Sequence, residues 1–132
     1  MMTVAAGILE RDGRILACRR RADQSHPLKW EFPGGKADPG EDPRDALARE
    51  LDEELGIQVC RAREITRYEY QYPGRPPILL VFYRVWSWGG SVQNCIFEEI
   101  RWATPAELAE LDFLEGDADF LRQWVDVTLS EP

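Results

Sequence analysis

The stretch that most constrains the fold is GGKADPGEDPRDALARELDEELGI, residues 34–57. Asp42 is a suitable helix N-cap, and Pro43 fits the first helical position. Gly56 is a natural helix stop, because glycine adopts the left-handed conformation that ends many helices. An apolar stripe at four-residue spacing consists of Leu47, Leu51 and Leu55. The pattern therefore predicts an amphipathic helix over residues 43–55, preceded by a glycine-rich loop.

Three carboxylates crowd together on this helix. Residues three and four apart are neighbours on a helix, so Glu50 faces both Glu53 and Glu54. Each like-charge pair costs a few tenths of a kcal/mol on a bare helix, and Arg49 cannot neutralise all three. One interpretation is a solvated acidic face. The other is a site for a hard dication such as Mg²⁺, which binds carboxylate and carbonyl oxygens and bridges to phosphates. The glycine-rich loop favours the second, because it brings backbone close to the helix.

Strand-like and helix-like segments alternate along the rest of the chain. Strand formers predict strands at 3–10, 15–20, 30–32, 59–72, 77–88 and 98–103, with a turn at RDGR and a break at Pro33-Gly34-Gly35. Thr104 and Glu107 form a capping-box pattern, which predicts a short helix over residues 104–111. A last helix over residues 117–129 places Phe120, Leu121, Trp124 and Val125 on one face. This mixture predicts an α/β (α+β) fold, a mixed sheet with helices packed on its faces.

Length and charge narrow the class of protein. The 132 residues fit one compact domain, residues 1–132. The net charge of −8 speaks against a nucleic-acid polymer as partner, because such binding needs basic surfaces. No apolar run approaches the ~20 residues that cross a bilayer, and the start lacks a basic leader, so we expect no membrane association. The scattered cysteines Cys18, Cys60 and Cys95 suit reduced thiols, so we expect a cytoplasmic protein.

The spacing of the acids and glycines resembles a known family. It matches the Nudix box, G-x5-E-x7-R-E-U-x-E-E-x-G-U, where U is a bulky aliphatic residue. The matching positions, within residues 35–57, are Gly35, Glu41, Arg49, Glu50, Leu51, Glu53, Glu54, Gly56 and Ile57. Seven fixed identities coincide by chance on the order of 10⁻⁸ per start position. The flanks WEFPGGK and RRRADQ resemble the MutT branch of the family.

The resemblance implies the Nudix fold, an α/β/α sandwich with a mixed sheet, and an activity. Nudix enzymes hydrolyse a nucleoside diphosphate linked to another group, with Mg²⁺. MutT-like members convert a nucleoside triphosphate to the monophosphate and pyrophosphate. We expect 8-oxo-dGTP or a related dNTP as substrate, with CTP or dCTP as the alternative. Another nucleoside diphosphate derivative, or a non-catalytic nucleotide sensor, fits the intact box and the flanks less well. The sequence does not determine whether Mn²⁺ can replace Mg²⁺. It also does not determine whether the protein is a monomer or a homodimer.

Roles within the box follow from the resemblance. Glu53 and Glu54 resemble the main metal ligands, and Glu50 a ligand or the general base. Arg49 resembles a structural residue that orients Glu53 and holds the loop. Glu41 is either an outer ligand or an anion at the start of the helix. Two glycines are expected to let a backbone carbonyl reach the metal, namely Gly34 and Gly35.

Five residues outside the box complete the predicted site. Arg20 resembles an arginine on the substrate phosphates. Phe32 resembles an aromatic beside the base, with a core position as the alternative. Arg75 resembles a base-side arginine, with a solvated loop charge as the alternative. Glu98 is the candidate for a later metal ligand, with an exposed strand residue as the alternative. Asp117 aligns with a base-reading position, where an ionised Asp accepts hydrogen bonds only; the site then favours an amino group, or the Asp is protonated. Its alternative role is N-cap of the last helix.

Overall fold

The computed structural model describes the backbone of residues 1–128 and the side chains of residues 1–123. Within that part the chain forms seven strands and three helices. The strands are β1 (Met2–Arg11), β2 (Arg14–Arg19), β3 (Trp30–Glu31), β4 (Gly34–Lys36), β5 (Gln58–Tyr70), β6 (Ile78–Gly89) and β7 (Glu99–Ala103). The helices are α1 (Pro43–Leu55), α2 (Pro105–Glu110) and α3 (Glu115–Thr128). No helix among the described residues has the length and apolar character needed to span a membrane.

The sheet is mixed, and β1 lies at its centre. The first part of β1 pairs parallel with β6 and antiparallel with β4. Its last residues form an antiparallel hairpin with β2, with Glu10 opposite Ile15. The strand order is β3-β2-β1-β6-β5, with β7 paired to β2. The predicted hairpin and the predicted mixed sheet are therefore confirmed.

Helices cover both faces of this sheet, because alternate strand residues point to opposite sides. Ala5 and Leu9 of β1 pack in the cluster that contains the α1 leucines. Ala6 and Ile8 pack in the opposite cluster, which contains Phe120 of α3 and also Leu108 of α2. The fold is the expected α/β/α sandwich, and its two cores hold α1 and α3 in fixed positions on the sheet.

Helix α1 agrees with the sequence prediction at both ends. The Asp42 carboxylate accepts the Arg44 N–H (2.8 Å), which caps the first turn. Gly56 adopts φ 69° and donates its N–H to the carbonyl of Asp52. Every member of the apolar stripe is fully buried, namely Leu47, Leu51 and Leu55. The short helix α2 carries the predicted capping box as well.

Two predictions need correction. The Pro-Gly-Gly segment does not simply break a strand, because Gly34–Lys36 forms β4 against β1. A side chain at Gly34, whose φ is 145°, would clash with the Ala5 carbonyl, so only glycine permits this pairing. Helix α3 begins at Glu115, not at residue 117, so Asp117 is its third residue and not its N-cap. The predicted packing of Trp124 and Val125 falls outside the described side chains.

Candidate active site

Arg49 lies at the centre of the acidic cluster on α1. Its Nη1 contacts the carboxylates of Glu50 (3.0 Å) and Glu53 (3.5 Å). Its Nε and Nη2 bind the two oxygens of Glu41 at 3.1 and 3.0 Å. Nη2 also donates to the Lys36 carbonyl (3.0 Å), which ties α1 to the end of β4. The hydrogen bond from Arg49 lowers the pKa of Glu41, and this carboxylate precedes the N-cap instead of opening the helix.

The glycines of β4 lie directly against two of the helix acids. Gly34 donates its N–H to Oε1 of Glu54 (3.0 Å). A Cβ at Gly35 would lie 2.5 Å from Cδ of Glu50, so the missing side chain is what makes room for that carboxylate. The loop therefore brings its backbone to the acids, as the glycine-rich composition predicts. The contact with Glu54 is made by an amide, not by a carbonyl.

The acids are held apart in this structure. Across the described residues, no three His, Cys, Asp or Glu side chains are arranged as a group that could hold a metal ion. Glu50 and Glu53 face Arg49, and Glu54 faces Gly34. Glu53 is 59% exposed, whereas Glu54 is buried. The cluster thus joins one solvated carboxylate to one that the core desolvates.

The chemistry of this donor set fits a hard cation. The pKa of Glu54 is raised to about 8, mainly by burial and also by the charges of Glu31, Glu50 and Glu53, while the Gly34 N–H opposes the shift. Burial also raises the pKa of Glu50. A buried acid surrounded by other acids is stabilised in its ionised form by a dication, which inverts the local electrostatics. All side-chain donors are carboxylate oxygens, the ligands that Mg²⁺ prefers.

A cavity of about 280 Å³ opens beside Glu54, between the two glycines of β4 and the start of α3. Of the residues predicted from the sequence, six line it: Arg20, Phe32, Gly34, Gly35, Glu54 and Asp117. They come from four separate parts of the chain, which the sheet brings together. Glu50 and Glu53 are on the same helix as Glu54 but not in the wall of the cavity.

Asp117 is buried at the cavity wall. Its Oδ2 accepts the backbone N–H of Phe32 (2.9 Å), which fixes the carboxyl group opposite the end of β3. The pKa of Asp117 is raised to about 7, mainly by burial and also by the charge of Glu31, while the Phe32 N–H and the charge of Arg20 oppose the shift. Near neutral pH this carboxyl group therefore exchanges between an acceptor and a protonated donor.

Arg20 is engaged within the protein. Its Nη1 contacts both carboxylate oxygens of Glu31 at 3.2 Å. Its Nε and Nη2 donate to the carbonyl and hydroxyl of Ser25. The guanidinium therefore compensates one carboxylate of the cavity and holds the loop between β2 and β3.

Three predicted residues lie in environments that differ from their predicted roles: the ring of Phe32 is in the core, and Arg75 and Glu98 lie outside the cavity wall. The ring of Phe32 packs on Phe113 and Phe120 in the core, so its backbone and not an exposed ring face borders Asp117. Arg75 is exposed in the loop between β5 and β6 and does not line the cavity. Glu98 is exposed just before β7 and does not line it either.

Among the cavity residues that sequence reasoning missed are Glu31 and Tyr72. A signal existed for Glu31, since a charged residue between Trp30 and Phe32 in a short aromatic strand requires a partner. Tyr72 gave no comparable signal, because a tyrosine at the end of a long strand is usually a packing residue. Its hydroxyl accepts the Gly116 N–H (3.0 Å), a contact that only the fold creates.

A mixed sheet between helices holds a box of acids beside a cavity. The chain belongs to the Nudix family, since the model of the NUDIX domain matches residues 1–124. The family match, with relatives named as diphosphatases and pyrophosphohydrolases, supports a hydrolase of phosphorus anhydrides. Members of this family generally use divalent metal ions, and the relatives act on small nucleotides.

Individual relatives agree with this assignment. The chain is 33% identical over 132 residues to the CTP pyrophosphohydrolase of Escherichia coli K12, covering 100% of this chain and 97% of the relative. It is 34% identical over 129 residues to the 8-oxo-dGTP diphosphatase of Haemophilus influenzae, covering 97% and 94%. The solution structure of the E. coli ORF135 protein matches with a TM-score of 0.86 at 33% identity, covering 100% of this chain and 94% of that chain.

Proposed function

We propose that this chain is a single-domain, Mg²⁺-dependent pyrophosphohydrolase that cleaves a nucleoside triphosphate to the monophosphate and pyrophosphate. One observation carries the proposal: a single cavity has Glu54 of the acid box in its wall and also the carboxyl groups of Glu31 and Asp117. A ligand in this cavity can thus reach the box with its phosphates while polar groups surround its base. The nucleotide activities in the names of both relatives support this assignment.

Glu50, Glu53 and Glu54 are the residues that would hold Mg²⁺, with Gly34 and Gly35 providing the close approach of the backbone. When bound, Mg²⁺ would neutralise phosphate charge and activate a water molecule for attack on phosphorus. Mn²⁺ has the same oxygen preference and is the alternative ion.

The chain's own residues supply the remaining steps. One of the box carboxylates accepts a proton from the attacking water, with Glu50, Glu53 and Glu54 as the candidates. Arg49 contacts two of them, Glu50 and Glu53, and orients their carboxylates. Arg20 and Lys36 are basic residues in the cavity wall and favour the negative charge of the phosphates.

The base end of the cavity favours a base with an exocyclic amino group. Glu31 and Asp117 present acceptor oxygens, and an amino group is the donor that matches them. Guanine, 8-oxoguanine, cytosine and adenine all carry such a group, whereas uracil does not. The amino group alone does not choose among these bases, and the name of the 8-oxo-dGTP diphosphatase relative supports 8-oxo-dGTP or a related dNTP as the main candidate substrate.

CTP or dCTP is the second candidate. The chain's one asparagine, Asn94, binds the backbone of Phe97 and does not line the cavity, whereas Glu31 and Asp117 do line it. The full-length similarity to a CTP pyrophosphohydrolase favours the same reading. In either case the partner is a small nucleotide in the cytoplasm, not a nucleic-acid polymer, and the enzyme is a monomer or a homodimer.

A nucleotide panel tests the proposal. The protein is incubated with 8-oxo-dGTP, dGTP, CTP, dCTP, UTP and ATP, each with Mg²⁺, with Mn²⁺ and with chelator. We expect monophosphate and pyrophosphate in a one-to-one ratio from the amino-bearing substrates, and none with chelator. If none of the triphosphates released a monophosphate, the proposal would be overturned. If orthophosphate were the only phosphate product, the proposed position of cleavage would be wrong.

A further inference from the structure

The first turn of α3 is attached to the sheet side of the cavity by two tyrosines. Gly116, the second residue of the helix, donates its N–H to the hydroxyl of Tyr72 (3.0 Å). Its carbonyl accepts a hydrogen bond from the hydroxyl of Tyr68. The first N–H groups of any helix lack partners within the helix, so a side-chain acceptor here is a specific attachment. Both polar groups of one backbone residue are thus bound by tyrosines from β5 and the loop after it.

A side chain at Gly116 would require its neighbours, Tyr72 among them, to shift. A Cβ there would lie 2.9 Å from the Tyr72 hydroxyl and 2.9 Å from Cδ1 of Leu80. Glycine inside a helix costs roughly 1 kcal/mol relative to alanine, so its presence indicates a requirement for close approach. The helix start therefore lies directly on the tyrosines.

The next residue is Asp117, whose carboxyl group is buried at the cavity wall. Its position is determined from two directions, by the Phe32 N–H on one side and by the tyrosines behind Gly116 on the other. Tyr72 itself lines the cavity, so the attachment and the ligand share one wall.

We propose that Tyr68 and Tyr72 are positioning residues for base recognition, because their hydroxyls bind Gly116 and so set where α3 presents Asp117 to the nucleobase. This inference rests on the proposed function, in which Asp117 contacts the base. Burial, together with the charges of Asp117 and Glu31, raises the pKa of Tyr72 to about 12, so its hydroxyl stays protonated in the working range.

The chain offers a matched control for the loss of a hydroxyl. Tyr70 lies between the two tyrosines, and its ring contacts that of Tyr72 with centroids 4.8 Å apart. The Tyr70 hydroxyl makes no hydrogen bond to Gly116 among the described contacts. Tyr70→Phe therefore removes the same atom from the same strand without touching the attachment.

The kinetic test compares nucleotides that differ mainly in the amino group, CTP with UTP and dGTP with dITP. For Tyr68→Phe and Tyr72→Phe we expect KM for the amino-bearing member to rise about 3- to 10-fold, the size of one lost hydrogen bond. We expect kcat and the parameters for UTP and dITP to stay within twofold. In an Asp117→Asn background the tyrosine changes should add nothing further. Any of three results would overturn the inference. The tyrosine variants could lose as much activity on UTP or dITP as on the amino-bearing nucleotide, their effects could add to that of Asp117→Asn, or Tyr70→Phe could have the same effect.

Amide hydrogen exchange gives a second test that needs no substrate. The Phe32 amide is the donor to Asp117, so a displaced α3 should leave it less protected. We expect its exchange to be about 10-fold faster in both Phe variants and unchanged in Tyr70→Phe. Unchanged Phe32 exchange would overturn the inference whatever the activity. A protein that hydrolyses no nucleotide would instead overturn the proposed function, and the exchange data would still decide the positioning.

Discussion

The two ends of the cavity are built in different ways. The box end consists of Gly34, Gly35 and the helix acids, all within residues 34–57. The base end consists of Glu31, Tyr72 and Asp117, which come from three distant segments. A single helix and its loop are thus enough to arrange the acids and glycines of the box end. The proposed base end is assembled from segments that only the sheet brings together.

The two ends also manage their negative charge differently. At the box end, Arg49 contacts Glu41, Glu50 and Glu53 in one ion-pair network. At the base end, Arg20 contacts Glu31 but makes no hydrogen bond to Asp117 among the described contacts. The Arg49 network leaves out Glu54, whose pKa is raised to about 8, so each end holds one buried carboxyl group that favours its neutral form near pH 7.

The largest effect should come from the box. Glu53→Gln removes a predicted metal ligand that is 59% exposed, so the fold should be unaffected. We expect kcat to fall roughly 10²- to 10⁴-fold, by the same factor for CTP, UTP and dGTP. Steady-state kinetics with Mg²⁺ measure this, and Glu69→Gln, an exposed acid on β5, is the control. A loss that depended on the base would mean that the two ends are not separate.

How much the sequence predicts follows the same division. Helix α1, its caps and its acids depend on contacts within a few residues, so periodicity and spacing predict their placement. The pairing of β4 with β1 was not predicted, because it depends on the Ala5 carbonyl some thirty residues away. A sequence pattern predicts contacts between residues that are close along the chain, whereas β4 is defined by its pairing with the distant strand β1.

The base end shows the limit more clearly. The resemblance pointed to Asp117 as a base-side residue, but not to its partner, the backbone N–H of Phe32. Glu31 is not predicted, because the pattern of a short strand does not show whether its charged side chain points to solvent or into a cavity. Arg75 was placed near the base by resemblance, yet the structure leaves it exposed in its loop. Positions created by long-range packing carry no spacing signal.

A stability measurement tests whether folding raises the pKa of Asp117 at the base end. The pKa of Asp117 is raised to about 7, above its unfolded value of about 3.9. The folded state binds this proton more tightly, so the stabilisation is complete below pH ~4 and is lost as pH rises through ~7. Asp117→Asn should therefore gain free energy of unfolding relative to wild type between pH 4 and pH 8, by on the order of 4 kcal/mol.

Denaturant titrations at several pH values give this difference. Asp12→Asn, at the exposed turn between β1 and β2, is the matched control for the loss of one carboxylate. A difference between Asp117→Asn and wild type that did not change with pH would show that Asp117 titrates alike in the folded and unfolded states.

A smaller effect is expected when the backbone of the box end is altered. In Gly35→Ala the new Cβ would lie 2.5 Å from Cδ of Glu50, so that carboxylate must move. A displacement of about 1 Å costs up to 10²-fold in turnover, and we expect a loss of about 10- to 100-fold for every base. Gly89→Ala is the control, because its Cβ would meet the Gln58 side chain at an ordinary 3.6 Å. Full activity of Gly35→Ala would show that Glu50 need not occupy its present place.

The smallest effect is expected on base selection. It tests most directly whether the base end acts independently of the box end. Asp117→Asn keeps an oxygen for the Phe32 N–H but replaces the second oxygen by an amide donor. We expect the ratio of kcat/KM for CTP over UTP to fall about 10-fold, near the lower limit for one polar contact to a base. Most of the change should be in KM, because the acids of α1 are untouched. Competition between the two nucleotides in one reaction measures the ratio without error in enzyme concentration. If kcat fell equally for CTP and UTP, Asp117 would act on the chemical step, and the base end would not be a separate recognition site.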